Sequence, residues 1–259
     1  MAQIDLINSR YKVTRILYAE PDYAALQAVD IESREKTEYL LNVYEGALGR
    51  HYADCFDRLQ YCPEYIDMFL TGGALVAVFK LNTFADIDSY FFKGADIPPE
   101  TRVGYAQELF HLALCVFDFP PEISCAVLYS RNLRMQPADA ALTANYMIAP
   151  LSGLRAGPNN REFFYLLYDQ VKKIFLLRFT SENAECELLE DIRVMLAQGG
   201  NISMSALYAH WLGAREKILE QIKITAEMNP VERFGHFAFL YLKRCYRRFA
   251  QKVSNNELT

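Results

Sequence analysis

Short runs of β-favouring residues separated by turn residues dominate the first third of the chain. Four such runs are RYKVTRILY (10–18), AALQAVDI (24–31), TEYLLNVY (37–44) and ALVAVFKL (74–81). YIDMFLT (65–71) is a candidate fifth strand, and HYADCFDRLQY (51–61) carries apolar residues at helical spacing. The pattern predicts three strands, a helix and then two further strands.

The periodicity becomes helical after Leu81. Helical spacing recurs in DIDSYFFK (86–93), in residues 99–119 and in four longer segments beyond Arg161, whereas CAVLY (125–129) and NLRMQ (132–136) read as short strands. This change predicts an α+β fold with a β-rich N-terminal lobe at 1–81 and a mainly helical C-terminal lobe at 82–259.

Composition narrows the possible functions. The 259 residues are 52% hydrophobic with a net charge of −5, which gives no general attraction to nucleic acid. Six scattered cysteines form no CxxC pair, and we find no histidine at metal spacing, so the sequence predicts no metal site, no cofactor and no disulfide scaffold. With no signal-like start and no run of about 18 apolar residues, we expect a soluble, cytoplasmic chain without a membrane span.

The order of elements, with a connector near residues 80–84, resembles the protein kinase fold over about residues 10–150. The resemblance implies a two-lobed domain with an N-terminal antiparallel sheet, one helix in that lobe, and a helical C-terminal lobe. In kinases the first hairpin turn is rich in glycine and approaches the phosphates of ATP. Here YAEPDYAALQAV (18–29) has Ala19, Pro21 and Ala24 where glycines would fall. The hairpin is therefore expected, without its close approach to phosphate.

Asn42 stands where kinases carry the phosphate-contacting lysine of the third strand, because YLLN replaces the VAIK pattern. An asparagine forms hydrogen bonds but supplies no positive charge. Two structural interpretations stand beside this one: Asn42 is a buried amide with all its partners, or a solvent-facing residue at a strand end.

The catalytic loop and the metal-binding motif are altered as well. When Asn132 is aligned with the metal-binding asparagine of kinases, Val127 takes the place of the catalytic aspartate. Asn145 takes the place of the aspartate that holds magnesium, and residues 151–160 form a short loop where kinases carry a long activation segment. Asn132 alone matches a functional position, and a lone asparagine in a loop is also a common turn former. The resemblance further implies that Asn42, Val127 and Asn145 face one cleft.

Together these changes alter nearly every position on which phosphoryl transfer depends: the glycines, the lysine, the catalytic base and the metal-binding aspartate. The sequence therefore predicts a catalytically inactive pseudokinase, not an enzyme, that acts as a protein-interaction or signalling scaffold. The alternative is an unorthodox nucleotide-binding enzyme or small-ligand sensor that uses the interlobe cleft.

The C-terminal helix carries a cluster of five basic residues, Lys243, Arg244, Arg247, Arg248 and Lys252. Phe234, Phe237, Tyr241, Cys245 and Phe249 recur at three- and four-residue steps, and we expect this stripe to pack inward. One interpretation is a terminal helix whose cations lie near the negative end of its dipole. The other is a helix beside a membrane or an acidic partner, in the cytoplasmic part of a longer membrane-anchored protein.

Overall fold

The protein is described by a computed structural model. The structure describes residues 6–33, 37–59, 61–92, 94–137, 141–150, 159–175, 180–198 and 202–256, and the side chains up to residue 246. Most of the short loop expected at 151–160 lies outside the described residues. By contacts the chain divides into two compact units: residues 1–92 with 111–167, and residues 93–110 with 168–259. The change of composition at residue 81 therefore does not coincide with the division between the units.

The first unit contains an antiparallel sheet with the strand order β1-β2-β3-β4-β6-β5. Its strands are β1 (Leu6–Ile7), β2 (Tyr11–Glu20), β3 (Tyr23–Asp30), β4 (Glu38–Tyr44), β5 (Tyr65–Thr71) and β6 (Ala74–Lys80). The predicted order is confirmed for the five longer strands, because α1 (Gly46–Phe56) follows β4 and precedes β5, whereas the two-residue β1 was not predicted. The predicted helix at 51–61 begins five residues late, because Gly46 and Gly49 are weak helix formers that obscure the first turn.

Both faces of β4 and β6 are covered. Val76 and Val78 of β6 share one core cluster with Tyr11, Ala28 and Leu41. On the other face aromatic rings join the sheet to α1: the Tyr44 ring stacks on Tyr52 at 4.3 Å between centroids. Strands buried on both faces read as continuous apolar runs, which is why the sequence marked them so clearly.

The rest of the first unit is built from short elements. They are β7 (Ala85–Asp86), α2 (Ile87–Tyr90), the C-terminal part of α3 (Pro99–Val116), α4 (Pro121–Val127), β8 (Leu133–Gln136), β9 (Ala141–Ala144) and the start of α5 (Asn160–Ile174). Strands β7, β8 and β9 form a second antiparallel sheet. The prediction of a strand at CAVLY is wrong, because Cys125–Val127 belong to α4, whose first turn is fixed by Pro121. Only the last three residues of α4 fall within that predicted strand, which are too few to show a helical period.

The second unit is helical. It contains the N-terminal part of α3 and the helices α6 (Asn183–Ala197), α7 (Met204–Glu227) and α8 (Pro230–Asn256). Trp211 is fully buried in this unit, where it stacks on Phe110 and donates a hydrogen bond to Gln107 at 2.8 Å. Among the described residues no helix has the length and apolar character needed to cross a membrane.

The face of α8 that packs inward differs from the predicted one. Phe237 and Leu240 are buried, whereas Phe234, Tyr241 and Cys245 are exposed. The prediction failed because the helix carries more apolar residues than one face can bury. The spacing alone does not show which face packs against the unit.

Candidate functional site

Asn42 lies in the middle of the sheet on β4 and is fully buried. Its Oδ1 accepts hydrogen bonds from the Tyr23 hydroxyl at 2.7 Å and from the backbone N–H of Ile148 at 3.0 Å. Its Nδ2 donates to the carbonyl oxygen of Tyr146 at 2.8 Å. Burial raises the pKa of Tyr23 well above its ordinary value, so its hydroxyl stays a donor. Asn42 is thus a buried amide with partners, and the solvent-facing alternative is wrong.

The segment 145–148 is held against β4 and β6 by more than Asn42. The Tyr44 hydroxyl donates to the carbonyl oxygen of Ile148 at 2.7 Å, and the Tyr146 ring lies parallel to the Phe79 ring with 5.1 Å between centroids. Every one of these groups is buried. Asn42 and Tyr44 therefore satisfy backbone groups of a segment that has no strand partner of its own there.

Asn132 performs the same task for the loop before β8. Its Nδ2 donates to the carbonyl oxygens of Ala126 at 2.7 Å and Met147 at 3.0 Å, and its Oδ1 accepts from the N–H of Met147 at 3.3 Å. Both amide hydrogens are used, so this side chain has no donor left for a metal-bound water or a ligand. Val127, like Asn132, is fully buried.

Asn145 binds the connector that follows β6. Its Oδ1 accepts from the backbone N–H of Asn82 at 2.8 Å, and its Nδ2 donates to the carbonyl oxygen of Asn82 at 2.9 Å. This reciprocal pair ties the end of the large sheet to the end of β9. Asn42, Asn132 and Asn145 are thus all structural hydrogen-bonding residues here.

A cavity of about 530 Å³ opens beside these asparagines. Its lining comes from β2, β3, β4, the connector at 81–84 and the sheet β7-β8-β9, and includes Asn132 and Asn145. Asn42 and Val127 are not among the described residues that line it. The expectation that Asn42, Val127 and Asn145 share one cleft therefore holds for Asn145 and is wrong for the other two, whose side chains point into packed interior.

Three arginines give the cavity its charge. Arg15, Arg131 and Arg134 line it against one acidic side chain, Asp86. The Nε atoms of Arg131 and Arg134 are buried and have no hydrogen-bond partner among the described residues. Burial lowers the pKa of Arg134, and its guanidinium lies 4.0 Å from a carboxylate oxygen of Asp86. A cavity with this lining attracts anions.

Sequence reasoning missed these arginines because they come from separate elements. Arg15 is on β2, and Arg131 and Arg134 flank Asn132 in the chain. Arg131 also lies over the Tyr18 and Tyr129 rings, at 5.4 and 5.6 Å from their centroids. The run RNLR (131–134) was the available signal, because it places two arginines close to a turn asparagine at the start of the predicted strand 132–136.

A second polar group lies on the surface of α1. His51 and Cys55 are four residues apart on this helix, and their ligand atoms lie within 4.8 Å of each other and of a Glu122 carboxylate oxygen from α4. The sequence-based statement that no histidine stands at metal spacing is wrong for this pair, which lies on one helix face. Glu122 could not be predicted, because it is 67 positions further along the chain than Cys55.

The basic cluster near the C-terminus lies on α8. Lys243 is exposed, and Arg244 is partly buried, where its guanidinium donates to the carbonyl oxygen of Leu240 at 3.2 Å and to the Cys186 Sγ at 3.5 Å. Arg244 is therefore partly a structural residue. The side chains of Arg247, Arg248 and Lys252 lie outside the described part of the structure.

No known protein family matches this chain, and no curated protein is similar to it.

Proposed function

We propose that this chain is a catalytically inactive, kinase-like binding module that acts through contacts with another protein. The observation that carries the proposal is the burial of the positions where phosphoryl transfer would need charge. Asn42, Val127 and Asn132 are 0% exposed, and Asn145 is 3% exposed. Amide and methyl groups engaged in internal packing supply neither the lysine charge nor the two carboxylates of a kinase.

The element order supports the kinase-like part of the proposal. Four strands, α1 and two strands precede the connector at 81–84. The short elements β7 and α2, the helices α3 and α4, a loop with Asn132 and the β8-β9 pair follow it. The β2-β3 hairpin closes tightly, with Glu20 opposite Tyr23. Pro21 in its turn lacks the N–H that a phosphate-binding turn would offer.

Assays of phosphate transfer from ATP and of thermal stability test the proposal that the protein is catalytically inactive. We expect no transfer to generic protein substrates at millimolar ATP, and no rise in Tm that depends on magnesium. An active kinase assayed beside the protein verifies the assay conditions. A magnesium-dependent rise of several degrees would overturn the proposal and favour an unorthodox enzyme.

The exposed face of α8 supports the protein-binding part. Val231, Phe239, Leu242 and Tyr246 are 81%, 64%, 66% and 73% exposed, and helical spacing places them on one side of α8. Large apolar side chains clustered in water usually mark a surface that another molecule covers. A photo-crosslinking residue at Leu242 is expected to capture one defined protein in cells. The same residue at Lys217, which is exposed on α7, is the control; equal capture from both positions, or none from Leu242, contradicts the assignment.

The arginine-lined cavity favours a second candidate function, a sensor of a small anionic ligand. It cannot depend on Asn132, whose hydrogen-bonding groups are already engaged. It depends instead on Arg15, Arg131 and Arg134, whose guanidinium groups suit phosphate or carboxylate.

Anion binding without magnesium separates the two functions. Pyrophosphate and ATP, each without magnesium, are expected to raise the Tm if the cavity is a sensor site. Arg15→Ala is expected to reduce this rise, whereas Lys12→Ala, which removes an exposed cation from the same strand outside the cavity, leaves it unchanged. No rise with either probe, or the same loss in both variants, would exclude the sensor.

A further inference from the structure

The side chains of His51, Cys55 and Glu122 meet at the surface of the first unit. His51 Nε2 lies 3.4 Å from Glu122 Oε1, and the Cys55 Sγ lies within 4.8 Å of both ligand atoms. Cys55 is buried, the Glu122 side chain is 18% exposed and the His51 side chain is 55% exposed. The sulfur of Cys55 is therefore shielded from solvent, whereas the imidazole of His51 is exposed to it.

The distances match the geometry of zinc coordination. Nitrogen and oxygen ligands bind Zn²⁺ at about 2.0–2.2 Å, so two of them at a tetrahedral angle lie about 3.3–3.5 Å apart. The His51–Glu122 distance of 3.4 Å falls within this range. The Cys55 Sγ lies within 4.8 Å of both other ligand atoms and has to approach by about 1 Å to bind Zn²⁺ at about 2.3 Å.

The elements that supply the ligands are fixed by packing. Tyr52, Cys55 and Phe56 form the buried face of α1, and the Tyr52 ring stacks on Tyr44 of the sheet. The His51 ring contacts Tyr52 edge-on at 5.2 Å between centroids, which orients the imidazole. Glu122 lies in the first turn of α4, whose remaining residues Ile123–Val127 are buried. A metal at this point would join two anchored helices.

We propose that His51, Cys55 and Glu122 bind one Zn²⁺ ion, with a water molecule as the fourth ligand. Imidazole, thiolate and carboxylate are each zinc ligands in proteins, and three protein ligands with a water in the fourth position are typical of catalytic zinc sites. The site joins α1 to α4, which lie far apart in sequence, and so it stabilises the first unit when loaded.

The charges around the Cys55 sulfur affect zinc binding. Glu122 and Asp54 add negative charge near Cys55, and Arg58 opposes them. Zinc binding forms the sulfur–zinc bond and releases the thiol proton, together with water from the hydrated ion.

Cobalt titration tests the site directly, because Co²⁺ replaces Zn²⁺ and is coloured. We expect one equivalent of Co²⁺ to produce a thiolate-to-cobalt charge-transfer band and intense visible bands of a tetrahedral ion. Zinc is expected to abolish both. Saturating zinc is also expected to raise the Tm of the metal-free protein by about 5 °C.

Variants assign the signal to the three residues. Cys55→Ser is expected to remove the charge-transfer band, and His51→Ala and Glu122→Gln are expected to weaken cobalt binding by more than about 100-fold. His51 is largely exposed, so its variant keeps the fold even if Cys55→Ser does not. Cys115→Ser and Cys245→Ser, which change exposed thiols elsewhere, are the matched controls.

Two results would overturn the proposal. One is a charge-transfer band that persists in Cys55→Ser, or that disappears in Cys115→Ser or Cys245→Ser. The other is a cobalt affinity that is unchanged in both His51→Ala and Glu122→Gln.

Discussion

Asn42 connects three parts of the first unit. It lies on β4, and its amide side chain binds both β3 and the segment 146–148. Asn42→Ala leaves a hydroxyl, a carbonyl and an amide N–H buried without their partner. Each such loss costs about 1–3 kcal/mol, so the three together are expected to lower the free energy of unfolding by roughly 3–9 kcal/mol. Urea denaturation measures this. Gln27→Ala, which removes a partly exposed hydrogen bond to Glu38, is the control and should cost about 1 kcal/mol or less.

Asn42→Lys places the kinase lysine back on β4 and gives a second test at the same residue. A lysine there is buried and lacks a carboxylate partner, so we expect a loss of stability at least as large as in Asn42→Ala. We also expect no gain of phosphate transfer and no magnesium-dependent rise in Tm. Measurable transfer by this variant would show that the remaining apparatus is intact and that the chain is closer to a kinase than proposed.

Glu185 and Asp30 predict opposite responses of stability to pH. Glu185 is buried beside Arg102 at 3.2 Å, and burial raises its pKa above 4.5 despite that cation. Its protonated form therefore favours folding below pH 4.5, and this contribution is lost as the pH rises through the folded-state pKa. The Arg10 hydrogen bond lowers the pKa of Asp30 below 3.8, so its contribution is present above pH 3.8 and is lost on acidification.

Chemical denaturation across pH 2–8 measures both effects. The free energy of unfolding of the wild type minus that of Glu185→Gln is expected to fall as the pH rises above about 4.5. The corresponding difference for Asp30→Asn is expected to rise with pH in the range below about 4. Slopes of the same sign for the two variants would contradict the assignment.

At the level of single elements, the turn between β5 and β6 depends on glycine. Gly72 and Gly73 have φ angles of 57° and 84°, the left-handed values of a two-residue hairpin turn. Gly72→Ala is expected to lower the free energy of unfolding by about 1–2 kcal/mol, because no atom lies close enough to clash and the backbone alone resists the change. Gly72→Asn should cost less, since asparagine tolerates this conformation.

Gly213 provides a matched control with the opposite sign. It lies inside α7, has no left-handed φ and has nothing within 4 Å of an added Cβ. Gly213→Ala is expected to raise the free energy of unfolding by about 0.5–1 kcal/mol, through helix propensity. Thermal and urea unfolding of the two alanine variants in parallel would show whether the turn, and not alanine itself, causes the loss.

The elements differ in how well sequence alone predicts them. The strands β2 to β6 are apolar segments bounded by turn residues, so their order and approximate limits were predictable. The start of α1 was obscured by two glycines, and α4 was too short for its period to show against its β-favouring residues. The cavity depends on which residues of β2, β8 and the connector come together, and the group of His51, Cys55 and Glu122 depends on the packing of α1 and α4. Both depend on tertiary packing, of which the run RNLR and the spacing of His51 and Cys55 were only partial signals.

At the level of the whole molecule, α8 presents an exposed apolar face together with exposed Lys243 and, along the helix, Arg247 and Arg248. Helices of this composition lie in the interface of anionic bilayers, where each cation contributes roughly 1 kcal/mol. If α8 lies on a bilayer instead of on a protein partner, the protein will co-sediment with vesicles containing phosphatidylserine and not with neutral vesicles. Replacing Lys243, Arg247 and Arg248 with Glu should abolish binding. Arg244 is left unchanged because it packs against Leu240 and Cys186.

The matched control is the replacement of Arg215, Lys217 and Lys223 on α7 with Glu, which makes the same change of charge elsewhere. Binding that survives the α8 changes, or that is lost equally in the control, would leave α8 as a protein-binding helix and exclude the lipid surface.

The hydrogen bonds from β4 to the segment 146–148 have a consequence for how the chain folds. They join residues 104 and 106 positions apart, so a loop of that length has to close before they form. Closing such a loop costs about 4 kcal/mol of chain entropy beyond a constant, which places these contacts late on the folding route. Interactions that form after the transition state affect the rate of unfolding, not of refolding. Asn42→Ala should therefore increase the rate of unfolding of the native protein, while the rate of refolding stays nearly the same.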